Sequence, residues 1–206
     1  PSDIYEQVIK MYGKMGKLEE LQTTWQEMQD NGIVPTERLY SAFILGLASQ
    51  NLMQEAEDVC KLMDEANIKK THFTYHAMIK GYLDSGDSTT ANVWYQRMKE
   101  NGLVENEVTY NIFMQYMKEA GKFKNIEILF EQMRQHGIRP SARTYAVILQ
   151  ALAQQNKFEE MIVAFKEAQH NGITPNRVLY NIMVTSLGKA GLTLNMYEYF
   201  KEMKEK

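Results

Sequence analysis

The sequence has a single cysteine, Cys60, among its 206 residues, so no disulfide can form within the chain. No apolar run approaches the ~20 residues that a membrane-spanning helix needs. The first residues, PSDIYEQ, have no signal or transit character. The formal net charge of −3 lacks the positive excess that is typical of a strong phosphate binder. We therefore expect that the protein does not reside in an oxidising compartment, does not bind a membrane and has no high affinity for a nucleic acid backbone.

Catalytic and metal-binding patterns are also missing. The sequence contains no Ser/His/Asp set, no glycine-rich phosphate loop and no acidic cluster of the kind that nucleases use. His72 and His76 have the i, i+4 spacing of a metal-binding pair, but no Cys, Asp or Glu partner has zinc-site spacing. We predict that the chain is not an enzyme, holds no metal or cofactor and takes no small-molecule substrate.

What the sequence does contain is a repeat of fixed length. Tyr110 has a counterpart every 35 residues along the chain, and these are Tyr5, Tyr40, Tyr75, Tyr145 and Tyr180. A fixed period between 20 and 50 residues is typical of a solenoid, in which small structural units stack in a row. The chain is therefore expected to form a single solenoid domain over residues 1–206.

Each repeat is predicted to form two helices joined by a turn. Tyr110, Phe113, Met114 and Met117 have the spacing of one helix face, which predicts a first helix over 109–119, and a second helix is predicted over about 123–136. The hydroxyl of Thr109 is expected to help cap the first helix. Glycine or asparagine ends each helix in the left-handed conformation, at Gly16, Asn51, Gly86, Gly121, Asn156 and Gly191 and again at Gly32, Asn67, Gly102, Gly137 and Gly172.

The second helices carry an apolar stripe that is predicted to form the core. It consists of Met28, Met63, Met98, Met133 and Met203, with Ala168 as a small exception, and of Trp25, Cys60, Tyr95, Phe130, Phe165 and Phe200. One hairpin of two short helices cannot bury such faces by itself, so neighbouring hairpins must stack. Cys60 is expected to be a buried core thiol.

The combination of a 35-residue hairpin, a tyrosine near its start, Gly or Asn between the helices and a Met-x3-Gly-Ile/Leu-x-Pro ending resembles the pentatricopeptide repeat family with P-type repeats. The resemblance covers the whole chain as repeats 2–36, 37–71, 72–106, 107–141, 142–176 and a truncated 177–206. It implies an all-α, right-handed superhelical solenoid of helix-turn-helix repeats. It also implies that the first helices line an inner groove that binds single-stranded RNA, with about one base per repeat.

In this family the base is read mainly by the residue after the tyrosine and by the last residue of the repeat. The resemblance assigns the first role to Glu6, Ser41, His76, Asn111, Ala146 and Asn181, and the second to Thr36, Thr71, Asn106, Ser141 and Asn176. Asn111 with Ser141 matches a pyrimidine reader that leans to cytosine, Asn181 is similar, and Ser41 with Thr71 suggests a purine. Glu6, His76 and Ala146 depart from the pairs that the family prefers.

Two further roles follow from the same resemblance. Residues two places before the tyrosine sandwich the base, and here they are Arg38, Phe73, Val108, Arg143 and Val178. Lysines near the end of the first helix meet phosphate, and here they are Lys14, Lys189 and, one residue away from the usual place, Lys118. Asp84 and Glu119 occupy that place in two repeats, which predicts weak or uneven affinity for the RNA backbone.

The leading expectation is therefore an RNA-binding protein of organelle RNA metabolism, in mitochondria or alternatively in plastids, that acts in processing, stability or translation. The alternative is a structural subunit of a ribonucleoprotein such as a mitochondrial ribosome, in which the groove holds protein or a shaped RNA element. A third possibility is an enzyme whose catalytic domain lies outside this sequence. The chain begins at Pro1 and stops inside a repeat at Lys206, so we expect it to be a segment of a longer chain or of an assembly.

Overall fold

The computed structural model describes residues 2–205, and over these residues the chain forms twelve α-helices and no β-strand. The helices are α1 Ser2–Met15, α2 Leu18–Asp30, α3 Glu37–Ser49, α4 Met53–Glu65, α5 His72–Asp84, α6 Ser88–Glu100, α7 Glu107–Glu119, α8 Phe123–Gln135, α9 Ala142–Gln154, α10 Phe158–His170, α11 Arg177–Lys189 and α12 Thr193–Glu205. The odd-numbered first helices begin every 35 residues, as do the even-numbered second helices. The predicted all-α repeat solenoid is confirmed.

The turns between helices adopt the left-handed conformation that the sequence predicts. The three asparagines have φ of 62° at Asn51, 55° at Asn67 and 58° at Asn156, and the eight glycines at the equivalent places also have positive φ. In the turn after α7, the backbone N–H of Lys122 donates to the carbonyl of Met117 at 2.8 Å, which satisfies one of the last carbonyls of the helix. The short turn then reverses the chain into α8.

The first helices after α1 are capped by the last residue of the preceding repeat. Thr36, Thr71, Asn106, Ser141 and Asn176 each have extended backbone, and each side chain accepts a hydrogen bond from a backbone N–H in the first turn. The N-cap of α7 is Asn106, and the prediction that the hydroxyl of Thr109 helps to cap this helix is confirmed at the third helical position. The hydroxyl oxygen of Thr109 accepts from the backbone N–H of Asn106 at 3.2 Å and completes a capping box.

The chain divides into two compact units, Pro1–Glu105 with α1–α6 and Asn106–Lys206 with α7–α12. The division falls one residue before the predicted boundary between the third and fourth repeats. In the N-terminal unit α3 packs against both α1 and α5, and in the C-terminal unit α9 packs against both α7 and α11. Each first helix also packs against the second helix of its own hairpin. A single solenoid domain over 1–206 remains a prediction.

The core has the predicted methionine stripe. Met28, Met63, Met98 and Met133 are completely buried, as is Ala168, whereas Met203 is half-buried. Among the neighbouring aromatic positions Trp25 and Phe165 are buried, and Tyr95, Phe130 and Phe200 are half-buried. Aromatic contacts join consecutive hairpins, since the ring of Phe165 lies 5.4 Å from that of Tyr180. Cys60 is 3% exposed, which confirms the predicted buried core thiol, and burial raises the pKa of this thiol to about 12.

Two glycines allow an unusually close approach between α1 and α3. A Cβ atom added at Gly13 would lie 2.8 Å from the Cα atom of Gly46, which is shorter than any ordinary carbon contact. The hydroxyl of Ser49 reaches across the same contact and donates to the carbonyl of Gly13 at 3.2 Å. The spacing of these two helices therefore depends on the missing side chains.

We expect Gly13→Ala to lower the free energy of unfolding by about 1–3 kcal/mol, as overpacked cores do. An alanine in a helix interior normally stabilises the helix by ~1 kcal/mol relative to glycine. The sign of the measured change in unfolding free energy therefore shows which effect is larger, the clash between the two backbones or the higher helix propensity of alanine. Urea unfolding followed by circular dichroism measures the difference.

Gly188→Ala is the matched control, because Gly188 also lies inside a first helix and a Cβ there would meet only the flexible side chain of Met196, at 3.2 Å. This variant should be as stable as the wild type or slightly more stable. Equal stabilisation by both substitutions would contradict the close approach of α1 and α3.

Candidate nucleic-acid interface

The residues that follow the repeat tyrosines differ strongly in exposure. Glu6, Ser41, His76 and Asn111 are buried, with exposed fractions of 6%, 7%, 8% and 4%. Ala146 is half-buried and Asn181 is exposed. Each of them is the fifth residue of a first helix. Most of this set is thus enclosed by the chain itself.

The second set of predicted base-reading residues coincides with the helix caps. The side-chain oxygens of Thr36, Thr71, Asn106, Ser141 and Asn176 are each engaged by a backbone N–H, for example that of Arg143 at 3.1 Å from Ser141 Oγ. Sequence reasoning missed this role. The signal was present, because Ser, Thr and Asn one residue before a predicted helix are the preferred caps.

The repeat 107–141 brings its two predicted base-reading residues together on one carboxylate. Glu107, the first residue of α7, accepts a hydrogen bond at Oε1 from Nδ2 of Asn111 at 2.9 Å. The same oxygen accepts from the hydroxyl of Ser141, which is 34 residues away in sequence. The pattern of the sequence places Asn111 and Ser141 in one repeat, and the carboxylate of Glu107 joins them into one polar cluster.

The amide oxygen of Asn111 is the notable atom of this cluster. Asn111 Oδ1 is buried and has no hydrogen-bond partner among residues 2–205. A buried amide oxygen without a partner costs free energy of roughly 1–3 kcal/mol, so such an atom in a native protein calls for an explanation, for example a water or an ion that binds it. Repeat 107–141 therefore has an unused acceptor at the predicted base-reading position.

The repeat 37–71 has the same geometry with a different result. Glu37 Oε1 accepts from the hydroxyls of Ser41 at 2.8 Å and of Thr71 at 2.7 Å. The Ser41 hydroxyl also lies 2.8 Å from Thr74 Oγ1 on α5. The hydroxyl hydrogen of Ser41 is therefore used within the chain, and the contact with Thr74 joins α3 to α5.

The remaining residues of the first set have other environments. The carboxylate of Glu6 pairs with Lys10 one turn along α1. Burial lowers the pKa of His76 to about 4, with a smaller effect of the nearby His72, so His76 is neutral near pH 7. Ala146 offers no polar atom. The amide of Asn181 is exposed on α11.

All five predicted base-stacking residues lie at the surface. Phe73 is 72% exposed, Val178 55% and Val108 43%, and Arg38 and Arg143 are exposed as well. Exposed apolar side chains at the same register position of successive first helices could stack on bases without any rearrangement. These side chains are therefore accessible for the predicted base stacking in every repeat that carries one of them.

The three predicted phosphate contacts are not equivalent. Lys14 and Lys189 are exposed at the ends of α1 and α11. Lys118 is half-buried, and its Nζ donates to Gln150 Oε1 on α9 at 2.6 Å. Burial lowers the pKa of Lys118 from its ordinary value. Lys118 would have to leave Gln150 to meet a phosphate.

The two histidines with metal-like spacing both lie on α5. Their ring centroids are 5.7 Å apart, and His72 Nε2 lies 2.8 Å from the carbonyl of Val104. Over residues 2–205 no three side chains of His, Cys, Asp or Glu are grouped as a metal ion would need. Among the helices of the described residues, none has both the length and the apolar character of a membrane span.

Comparison with known proteins gives two family matches that together extend over most of the chain. The profile of the PPR repeat family matches residues 70–115 and 105–154, and that of the PPR repeat matches residues 3–33, 38–68, 143–173 and 178–206. A mitochondrial pentatricopeptide repeat-containing protein of Arabidopsis thaliana is 42% identical over 50 residues, which is 24% of this chain and 8% of that protein.

Solved structures show the same fold. The maize pentatricopeptide repeat protein PPR10 matches 98% of this chain and 29% of its own length, with a TM-score of 0.63 and 26% identity. PPR10 in complex with an 18-nucleotide psaJ RNA element matches with a TM-score of 0.79 at 18% identity, over all of this chain and 30% of the other. The nuclear proteinaceous RNase P 2 of A. thaliana matches 82% of this chain and 38% of its own length, with a TM-score of 0.56 and 13% identity. The chain thus spans less than half of each of these proteins.

The lowered pKa of His76 predicts a pH-dependent stability. The unfolded chain binds a proton at His76 near pH 6.5, whereas the folded chain does so only near pH 4, so stability is complete above pH 6.5 and falls as the pH drops towards 4. We expect the wild type to lose about 2–3 kcal/mol more between pH 7 and pH 4.5 than His76→Gln does. Urea unfolding at the two pH values measures this loss.

His170→Gln serves as the control for this measurement, because His170 is an exposed histidine at the end of α10. It should keep the pH dependence of the wild type. If His76→Gln also kept that dependence, the buried neutral state of His76 would be refuted.

Proposed function

Because the chain belongs to the pentatricopeptide repeat family, we propose that it binds single-stranded RNA along its first helices. The family profiles extend over most of the sequence, and the fold is that of PPR10, whose solved complex contains an RNA element. In this proposal each base stacks on a side chain two places before the repeat tyrosine. The base edge then meets the residue after the tyrosine and the last residue of the repeat.

The observation that supports this proposal most directly is the polar cluster of repeat 107–141. Asn111 Oδ1 has no hydrogen-bond partner among the described residues, and the exposed Val108 lies one helical turn away on α7. A base that stacks on Val108 would place its edge near Asn111. The amide oxygen is buried in this structure, so it could accept a hydrogen bond from an amino or imino group of the base only after the side chains that cover it move aside.

The repeats should contribute unequally. Asn111 has an acceptor without a partner among the described residues, and Asn181 has an exposed amide, whereas the hydroxyl of Ser41 already binds Glu37 and Thr74. We infer that base selectivity resides mainly in the C-terminal unit and favours a pyrimidine, preferably cytosine, opposite repeat 107–141. The N-terminal repeats would contribute through stacking, for example on Phe73.

The net charge of −3 and the engagement of Lys118 with Gln150 imply weak binding to phosphates. Lys14 and Lys189 are the exposed lysines at the predicted phosphate positions. Affinity should therefore depend more on stacking and base contacts than on charge, with a shallow salt dependence. The chain is proposed to act by binding alone, without catalysis.

We further propose a role in organelle RNA metabolism, namely in the processing, stability or translation of transcripts. The matched Arabidopsis protein is named as mitochondrial, which supports mitochondria ahead of plastids for this chain. The match extends over 24% of the chain, so localisation of the tagged full-length protein by microscopy is the direct test.

The alternative function, a structural subunit of a ribonucleoprotein that holds protein or a shaped RNA, is favoured by one observation. Four of the six residues after the repeat tyrosines are buried, and Ser41 is used to join two helices. Co-purification with a protein partner that persists at high salt, together with no affinity for free RNA, would support this function over the first.

We expect selection from a random single-stranded RNA pool at low salt to enrich sequences with a shared pyrimidine. Asn111→Ala should lower the affinity for the enriched RNA by about twofold to tenfold, because one base hydrogen bond is lost. Fluorescence anisotropy with labelled RNA measures the change in Kd.

Gln132→Ala is the control, because Gln132 is exposed on α8 and lies outside the first helices. It should leave the Kd unchanged. Absence of any enriched sequence, or equal Kd values for Asn111→Ala and the wild type, would contradict RNA reading by this chain.

A further inference from the structure

Given RNA binding as proposed above, we propose that Glu37 and Glu107 are positioning residues that decide which hydrogen-bonding groups their repeats offer to a base. Each glutamate is the first residue of a first helix, and each binds both predicted base-reading residues of its own repeat. Neither belongs to the pairs that the resemblance assigns to base reading. The carboxylate would add a third specificity-determining position to these two repeats.

The arrangement occurs independently in both compact units. Glu37 and Glu107 lie 70 residues apart, at the same register position of the repeat. In each case a single oxygen, Oε1, accepts from the residue four places along the same helix and from the cap of the next first helix. The same geometry with Ser41 and Thr71 in one repeat and Asn111 and Ser141 in the other indicates that the glutamate, not its partners, produces the cluster.

A carboxylate at this place consumes donors, since an ionised carboxylate can only accept hydrogen bonds. The hydroxyl of Ser141 donates to Glu107 and accepts from the backbone N–H of Arg143, which leaves only an acceptor lone pair. The amide of Asn111 is fixed with Nδ2 towards Glu107, which leaves Oδ1 as the group without a partner among residues 2–205. Repeat 107–141 therefore offers mainly acceptors.

A base edge that faces two acceptors must supply donors. The exocyclic amino group of cytosine or an imino N–H meets this requirement, whereas a base edge that offers only acceptors is disfavoured by repulsion between lone pairs. Without the carboxylate, the amide of Asn111 could turn over and present its N–H groups. Glu107 would thus determine that a base edge with hydrogen-bond donors is preferred, and Asn111 would form the hydrogen bond with that edge.

The other repeats have no glutamate at the first position of their first helix. Ala142 has no polar group, and the guanidinium of Arg177 can only donate. The adjacent Asn181 is exposed, in contrast to the buried Asn111. We therefore expect Asn181 to contact a base with less discrimination than Asn111, although the two residues have the same chemistry.

The glutamates also have a structural role, because each one binds the cap of the following first helix, Thr71 of α5 or Ser141 of α9. A useful test must separate this packing role from base selection. Preference at one nucleotide is suitable, since a general loss of packing would weaken all repeats of a unit together.

The test compares wild type, Glu107→Gln and Glu37→Gln in selection from a random single-stranded RNA pool, with the base frequencies read at each position. Glu107→Gln should reduce discrimination by about twofold to tenfold at the nucleotide opposite repeat 107–141 alone, because one fixed hydrogen-bond direction is lost. Glu37→Gln should change only the nucleotide that lies two positions away along the RNA.

A second pair of variants tests whether adding the glutamate to repeat 142–176 creates base discrimination there. Ala146→Asn adds the reading amide by itself, and Ala142→Glu combined with Ala146→Asn adds the carboxylate as well. Only the double variant should show strong discrimination opposite this repeat. This pair does not depend on the folding of the Glu107 variant.

Unchanged base frequencies in Glu107→Gln, with the wild type enriching a sequence, would overturn the positioning role and leave RNA binding intact. A uniform loss of preference at all positions together with a lower unfolding temperature would overturn it as well, in favour of packing alone. Equal discrimination by the Ala146→Asn and double variants would count against it too. If the wild type enriched no sequence, both the positioning role and RNA binding would fail.

Discussion

The burial of apolar faces between successive hairpins is the interaction on which the structure depends. Each hairpin has two helices of 13 or 14 residues, too short to be stable alone, and their apolar faces are wider than one hairpin can cover. Met28, Met63, Met98 and Met133 are completely buried at the equivalent place of successive hairpins, and aromatic contacts such as Phe165 with Tyr180 join neighbours. Gly and Asn residues in the left-handed conformation keep the turns between the helices short.

The same packing places the polar residues of the first helices between neighbours. Ser41 and Asn111 follow buried tyrosines and are themselves 7% and 4% exposed, so any base contact must occur at the junction of two first helices. A buried polar group requires a partner, and in this chain Glu37 and Glu107 supply one. Stability and the proposed base recognition thus use the same positions. In repeat 37–71 the protein satisfies Ser41 by itself, and in repeat 107–141 an acceptor on Asn111 is left over.

The helix caps have a second function for the same reason. Ser141 satisfies a backbone N–H of α9, as a cap must, and its hydroxyl hydrogen is free to bind Glu107 of the preceding first helix. Ser141 is therefore both the last residue of one repeat and the cap of the next first helix, and its side chain connects α7 to α9. A substitution there acts on helix stability, on hairpin packing and on the polar cluster at once, which is why variants of Glu107 and Asn111 are more informative about base contact than variants of Ser141.

The sequence by itself determined the features that depend on local periodicity. The 35-residue spacing of Tyr110 and its counterparts, the glycine and asparagine turns and the methionine stripe predicted every hairpin and the buried Cys60, because helix propensity and turn conformation act over a few residues. Only the tertiary structure decided which distant groups meet. The approach of Gly13 to Gly46, the bond from Lys118 to Gln150 and the joining of Asn111 to Ser141 by Glu107 link residues 30 or more positions apart. These contacts depend on ångström-scale helix packing, and no local pattern of residues encodes that packing.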